Sequence, residues 1–266
     1  MGMREISLDE LKEILVEILE QVAGYCDRQG ITYFLAYGTL LGAIRHKGYI
    51  PWDDDLDIAM PRPDYERFIR EFNGSCPGLR VLSHSLDRNY KQSIAKVEKI
   101  GTFMDEIGQV EYCMGINIDI FPIDGLPDDD REAKRFIERI YRYNYMRQLK
   151  VVKPTRDRPF HALSVILVQA ALSPFSFDFL LKKIDSLART LPFGSTEHAG
   201  SCVLFIRKNL RVPLSVFSSS VDVEFEGRKF HAPVGYDVWL RSIFKDYMQL
   251  PPVEKRVSHH AFRAYV

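Results

Sequence analysis

Cysteine is sparse in this chain, and net charge is absent. Four cysteines, Cys26, Cys76, Cys113 and Cys202, are spread over 266 residues. None belongs to a Cys-x-x-Cys pair, which excludes a zinc ribbon and a thioredoxin-type redox site. They are too few for a disulfide framework in a chain this long, so a reducing, cytoplasmic setting is expected. Lys and Arg number 36, as do Asp and Glu. That balance excludes grip on nucleic acid through overall charge, so any anion must be met by a local patch. There is no internal repeat and no low-complexity tract. The opening MGMREISLDE places acids early and has no apolar run, so no secretory signal is expected. Gly2 is followed by too loose a match for myristoylation. The apolar stretch ALSVILVQAAL at 162–172 is too short to span a bilayer. It follows Arg147, Lys150, Lys153, Arg156 and Arg158, and reads first as a buried helix behind a solvated basic loop. The alternative is an interfacial element held to anionic lipid.

What the chain does have is 46% hydrophobic residues, enough for a sizeable core in one large domain or two small ones. Ser7-Leu8-Asp9-Glu10 has the form of a capping box. Leu8, Leu11, Leu15, Ile18, Leu19 and Val22 follow at helical spacing, predicting a helix that ends before Gly30. Residues 31–37 read as a strand broken by Gly38, and 39–46 as a short helix. Further strands are expected at 56–60, 79–83, 93–99, 103–106 and 115–121, and helices at 64–72, 128–150 and 234–247. Residues 221–230 read as a hairpin turning near Glu226-Gly227. Strands crowd the first half, so the class is α+β or mixed α/β rather than a regular βαβ array.

Two strand-like segments carry the chemistry. In PWDDDLDIAM, alternation along a strand sends Asp53, Asp55 and Asp57 one way and Leu56 and Ile58 the other. Such a row of like charge calls for a cation. Oxygen ligands without histidine or thiolate favour Mg2+ or Mn2+ over zinc. In GINIDIFPID, Ile116, Ile118 and Ile120 share one face, and Asn117 and Asp119 the other. Laid beside the first strand, this one adds Asp119 as a third carboxylate. Asp53 and Asp54, just after Pro51-Trp52, also fit the alternative of plain turn residues. Gly38-Thr39 stands between a strand and a helix, where backbone can approach an anion closely. No Gly-Lys-Ser/Thr follows, so it is not a Walker loop. Singly, Arg45, His46, Lys47, Lys96 and Lys99 are ordinary surface charges. Grouped by the acidic row, they would hold a polyphosphate.

The string GTLLGAIRHKGYIPWDDDLDIAMPRPDYERF resembles the LicD family, whose nucleotidyltransferase fold is shared with DNA polymerase beta. So do NIDIFPID, FEGRKFHAP, GYDVWLRSIFKDYMQLPP and KRVSHH. The likeness runs from about Leu11 to His260 and weakens between Tyr141 and Val212. It implies an α+β fold with a nucleotidyltransferase-like mixed β-sheet core flanked by helices, plus an additional helical region. The expected division is a catalytic core over 1–130 and a helical insertion over 131–215, available to an acceptor or a membrane surface. A hairpin and helix over 216–266 would complete the core.

The activity implied is transfer of a phosphoryl-alcohol, phosphocholine first, from CDP-choline to a sugar hydroxyl of teichoic acid or lipooligosaccharide. Ribitol or glycerol phosphate, true nucleotidyl transfer and a non-catalytic nucleotide-binding module stay open as alternatives. Carried onto this chain, Asp55 and Asp57 match the metal-binding pair, Asp53 the first acid and Asp119 the third strand carboxylate. Asp55, Asp57 and Asp119 would carry catalysis around Mg2+, with Asp119 ranked first as proton acceptor ahead of His259 and His260. Gly38 and Thr39 match the Gly-Ser/Thr turn. Arg45 and Lys47 lie beside it, Lys96 would be a candidate clamp on the leaving nucleotide, and the KRVSHH ending points Arg256 and His259 towards the donor site. The expected partners are a CDP-alcohol donor and a glycopolymer acceptor, with no nucleic acid. The expected place is the cytoplasm or the inner face of the membrane, with peripheral membrane association open.

Overall fold

The computed structural model describes residues 3–106, 114–152, 159–204, 210–257 and 262–266. Helix α1 (Leu8–Gln29) starts on the expected box: Ser7 Oγ accepts the Glu10 amide, and the Glu10 side chain accepts the Ser7 amide. Gly30 ends it at φ 61°, the left-handed region open to glycine. Leu11, Leu15, Ile18, Leu19 and Val22 bury its apolar stripe.

Strand β1 (Phe34–Leu35), helix α2 (Tyr37–His46), β2 (Asp57–Pro61) and α3 (Arg62–Glu71) follow. Next come β3 (Leu79–Leu82), β4 (Ala95–Lys99), β5 (Phe103–Glu106) and β6 (Asn117–Leu126). Three helices, α4 (Asp130–Val151), α5 (Pro159–Ala171) and α6 (Phe177–Ala188), precede β7 (His198–Gly200) and β8 (Val212–Pro213). The chain closes with the hairpin β9 (Ser220–Phe225) and β10 (Arg228–Pro233), helix α7 (Tyr236–Phe244) and β11 (Phe262–Tyr265). Glu226 and Gly227 both take positive φ at the hairpin turn, as a two-residue turn between twisted strands requires.

The main sheet has seven strands in the order β1-β2-β6-β4-β3, with β7 added to β6 and β8 to β7. The β2–β6 pair is parallel, while β1–β2, β6–β4 and β4–β3 are antiparallel. The fold is therefore α+β with a mixed sheet flanked by helices. One core gathers α1, the sheet, the hairpin and α7. A smaller one joins Leu126, Ile140, Leu181, Ile184 and Val203.

Three expectations change. The strand expected over 31–37 forms a ladder only at Phe34–Leu35, because Tyr37 already heads α2 with φ 44°. Strand β6 runs on past Phe121 through Pro122 to Leu126. Pro122 falls where β4 has ended at Ile120 and β7 begins at Asp124, so neither antiparallel neighbour asks it for an amide. The apolar stretch 162–172 is helical but not buried. Leu163, Ile166, Leu167 and Val168 are 56%, 51%, 61% and 38% exposed.

At the start of α3, Arg62 reaches β6. Its Nε and Nη2 donate to Asp124 Oδ1 and Oδ2 at 2.7 and 2.6 Å, and its Nη1 donates to Asp185 of α6 at 3.1 Å. This fork ties the helical region to the sheet.

Candidate active site

Strand pairing brings distant charged side chains into one row. Asp57 opens β2 and is the register partner of Asp119 on β6. Lys96 on β4 is the partner of Asp119 on its other side. Register partners project from the same face of a sheet, so the row reads Asp57, Asp119, Lys96. Lys96 Nζ donates to Asp119 Oδ1 at 2.5 Å and to Asn117 Oδ1 at 3.0 Å. Asp57 is buried, and its carboxyl is held well above the usual range. Burial is the main cause, followed by the carboxylates of Asp55, Asp119 and Asp53, while Lys96 pulls the other way. Added positive charge would favour its ionised form.

Ahead of β2, residues 53–56 carry no ladder. Alternation alone therefore does not arrange these acids. One carboxylate oxygen from each of Asp53, Asp54 and Asp55 lies within 4.8 Å of the others. Asp54 is buried and joins the cluster by the bend of the chain, which a strand reading of the sequence passes over. Asp53, Asp55 and Asp57 line one cavity of about 670 Å³ with Gly38, Arg45 and Trp52. Phe244, Leu250, Pro251 and Pro252 form an apolar part of its wall. A hard divalent cation fits this donor set: oxygen atoms from several carboxylates, clustered and partly buried.

Helix α2 shapes the rim. A Cβ on Gly38 would lie 2.6 Å from Asp53 Oδ2, so only glycine lets that carboxylate sit there. Thr39, by contrast, is buried, and its hydroxyl accepts the Asp57 amide at 2.7 Å. It anchors the start of β2 rather than facing the cavity. Gly38→Ala is expected to push Asp53 aside and cut turnover by roughly 10- to 100-fold, the scale of a misplacement of about 1 Å. Melting should shift by only a few degrees. Unchanged kcat and metal affinity in the alanine variant would show that Asp53 has no part in the site.

Two guanidinium groups approach the rim. Arg45 Nη1 donates to the Tyr247 carbonyl at 2.7 Å, and its Nε donates to His46 Nε2. Burial, then the nearby Arg256, lowers the Arg45 pKa. Arg256 Nε donates to the Pro251 carbonyl, and the guanidinium stands 5.8 Å over the Trp52 ring. Lys47 is not brought in: it is exposed at the C-cap of α2, and its carbonyl accepts the Glu226 amide. Lys99 pairs with Glu17 instead. His259 and His260 lie outside the described residues. Trp239 is buried core, as expected for α7.

Comparison with known proteins adds a second line of observation. A family model described as LicD/FKTN/FKRP, nucleotidyltransferase domain, matches residues 30–167. The chain is 28% identical over a 287-residue alignment to the lipopolysaccharide cholinephosphotransferase LicD of Haemophilus influenzae, covering 99% of this chain and all of that protein. It is also 38% identical over 66 residues to the human ribitol 5-phosphate transferase FKRP, covering 25% of this chain and 12% of that one. An uncharacterized protein of Rickettsia prowazekii, RP689, is 41% identical over 63 residues, covering 24% of this chain and 21% of that one.

Proposed function

The chain belongs to the LicD/FKTN/FKRP nucleotidyltransferase-domain family and is a transferase of phosphate-containing groups, and we propose that it moves a phosphoryl-alcohol from a CDP-linked donor to a sugar hydroxyl of a cell-surface glycopolymer. Phosphocholine is the first candidate, since the relative that aligns end to end is a cholinephosphotransferase acting on lipopolysaccharide. The observation that carries this reading is the in-register pair Asp57 and Asp119 on parallel strands, of which Asp57 lines the cavity together with Asp53 and Asp55.

Asp53, Asp55 and Asp57 would hold Mg2+, with Asp119 next in the row. When bound, the ion supplies charge neutralisation and alignment for the donor's phosphates. Arg45 and Arg256 each use one edge on a backbone carbonyl. An anion between the two groups would offset their mutual repulsion, which suits the donor's diphosphate. Asp119, paired with the Lys96 ammonium, accepts the proton of the attacking hydroxyl as it adds to phosphorus. Lys96 holds that carboxylate in place and offers charge towards the leaving CMP. A soluble cytidine donor places the reaction in the cytoplasm.

The test is a screen of CDP-choline, CDP-ribitol and CDP-glycerol with purified cell-surface polymer. The expected result is Mg2+-dependent release of CMP with one donor strongly preferred. Appearance of a nucleotidylated polymer would overturn the reading, because the bond broken would then lie on the other side of the transferred phosphorus.

A further inference from the structure

Helix α5 contains no Asp, Glu, Lys or Arg. Leu163, Ile166 and Leu167 stand at i, i+3 and i+4, and with Val168 they are between 38% and 61% exposed. Its one amide side chain turns inward. Gln169 Nε2 donates to the carbonyl oxygens of Leu149 and Val152 at the end of α4, at 3.2 and 2.8 Å. The polar contact thus docks the helix to the protein and leaves its large apolar side chains outside. Phe175 and Phe179, 37% and 42% exposed, follow just past the helix in the chain.

The sequence around this surface leans positive. From residue 138 to residue 178 stand seven Lys or Arg and three acids, Glu138, Asp157 and Asp178, in a chain whose total charge is balanced, and of the seven Arg147 is buried. Arg139 and Arg142 are exposed on α4. Lys150 donates to the Leu172 carbonyl at 3.0 Å, beside the end of α5. Among the described residues no helix is long and apolar enough to cross a membrane. An uncharged apolar helix bordered by cations is the pattern of an element lying in a headgroup layer.

We propose that α5 is an interfacial docking helix that seats the enzyme on a membrane surface rich in anionic lipid. A second copy of the chain is the competing occupant. It would bring two predominantly cationic segments together with little counter-charge, whereas anionic headgroups supply it. The proposal rests on the α5 surface and its charge, and stands whichever donor the active site takes.

The experiment is sedimentation of the full chain with vesicles of phosphatidylcholine alone and of phosphatidylcholine mixed with phosphatidylglycerol. At low salt, binding to the mixed vesicles is expected to be at least about tenfold tighter and to weaken as salt rises. The double variant Ile166→Glu/Leu167→Glu should lose binding by about tenfold or more while keeping its circular dichroism and melting temperature, since both side chains are exposed. Its CMP release from a soluble donor should match the parent's, which separates failure of docking from failure of transfer. Equal binding to both kinds of vesicle, or full binding by the double variant, would overturn the proposal. So would a dimer in sedimentation velocity that the double variant dissolves.

Discussion

Asp57→Asn is expected to lower turnover by about 1,000-fold or more, the scale of losing one member of a catalytic unit, while leaving the protein folded. Asparagine has nearly the same volume, and the backbone at this position is fixed independently, by the Thr39 hydroxyl on the residue 57 amide and by pairing to β6. The substitution removes a buried carboxylate whose neighbours are Asp55, Asp119 and Asp53. It replaces it with an amide that can donate to them. Without metal, the variant should therefore melt at or above the parent's temperature. With Mg2+, the parent should gain stability by linkage and the variant should gain less. The measurements are CMP release and melting curves with and without Mg2+. Near-normal turnover with full metal dependence would remove Asp57 from the mechanism.

Arg62→Ala should cost about 3–5 kcal/mol of stability, the penalty for leaving a buried charge unpaired. The Asp124 side chain is 0% exposed and that of Arg62 is 9% exposed. Alanine also severs the link to Asp185 on α6, so the smaller core should loosen first. For a chain of this size the melting temperature should drop by on the order of 10 °C. The double variant Arg62→Met/Asp124→Leu tests the cause. Filling the same space with apolar groups should recover most of the loss, because no charge is then stranded. A loss below about 1 kcal/mol in the single variant, or no recovery in the double, would show that the fork does not secure the helical region.

Much of this was legible in the sequence where one local rule governs. The Ser7–Glu10 cap, the Gly30 stop and the Glu226-Gly227 turn each follow from short-range hydrogen bonding or from φ alone. The two acidic segments stand out because their carboxylates sit beside residues bound for the core, Leu56 and Ile58 in one and Ile118 and Ile120 in the other, where charge is costly without a purpose. Where the reading fell short, partners came from far along the chain. The Asp124 fork needs Arg62, 62 residues away. Asp54 enters the acidic cluster through a bend that alternation does not describe. The burial expected for α5 failed because an apolar run looks the same whether protein or another medium covers it. Sequence proximity alone groups Lys47 with the rim, yet at the left-handed cap of α2 it is exposed.

The parallel pairing of β2 with β6 has a bearing on biosynthesis. Asp57 is translated 62 residues before its register partner Asp119, and α3, β3, β4 and β5 are all made in between. A nascent chain that has exposed only its first hundred residues holds Asp57 and Lys96, the two ends of the row, but not the strand that stands between them. The row is therefore incomplete in any fragment that ends before the second strand arrives, and an interrupted translation product leaves the ribosome without it.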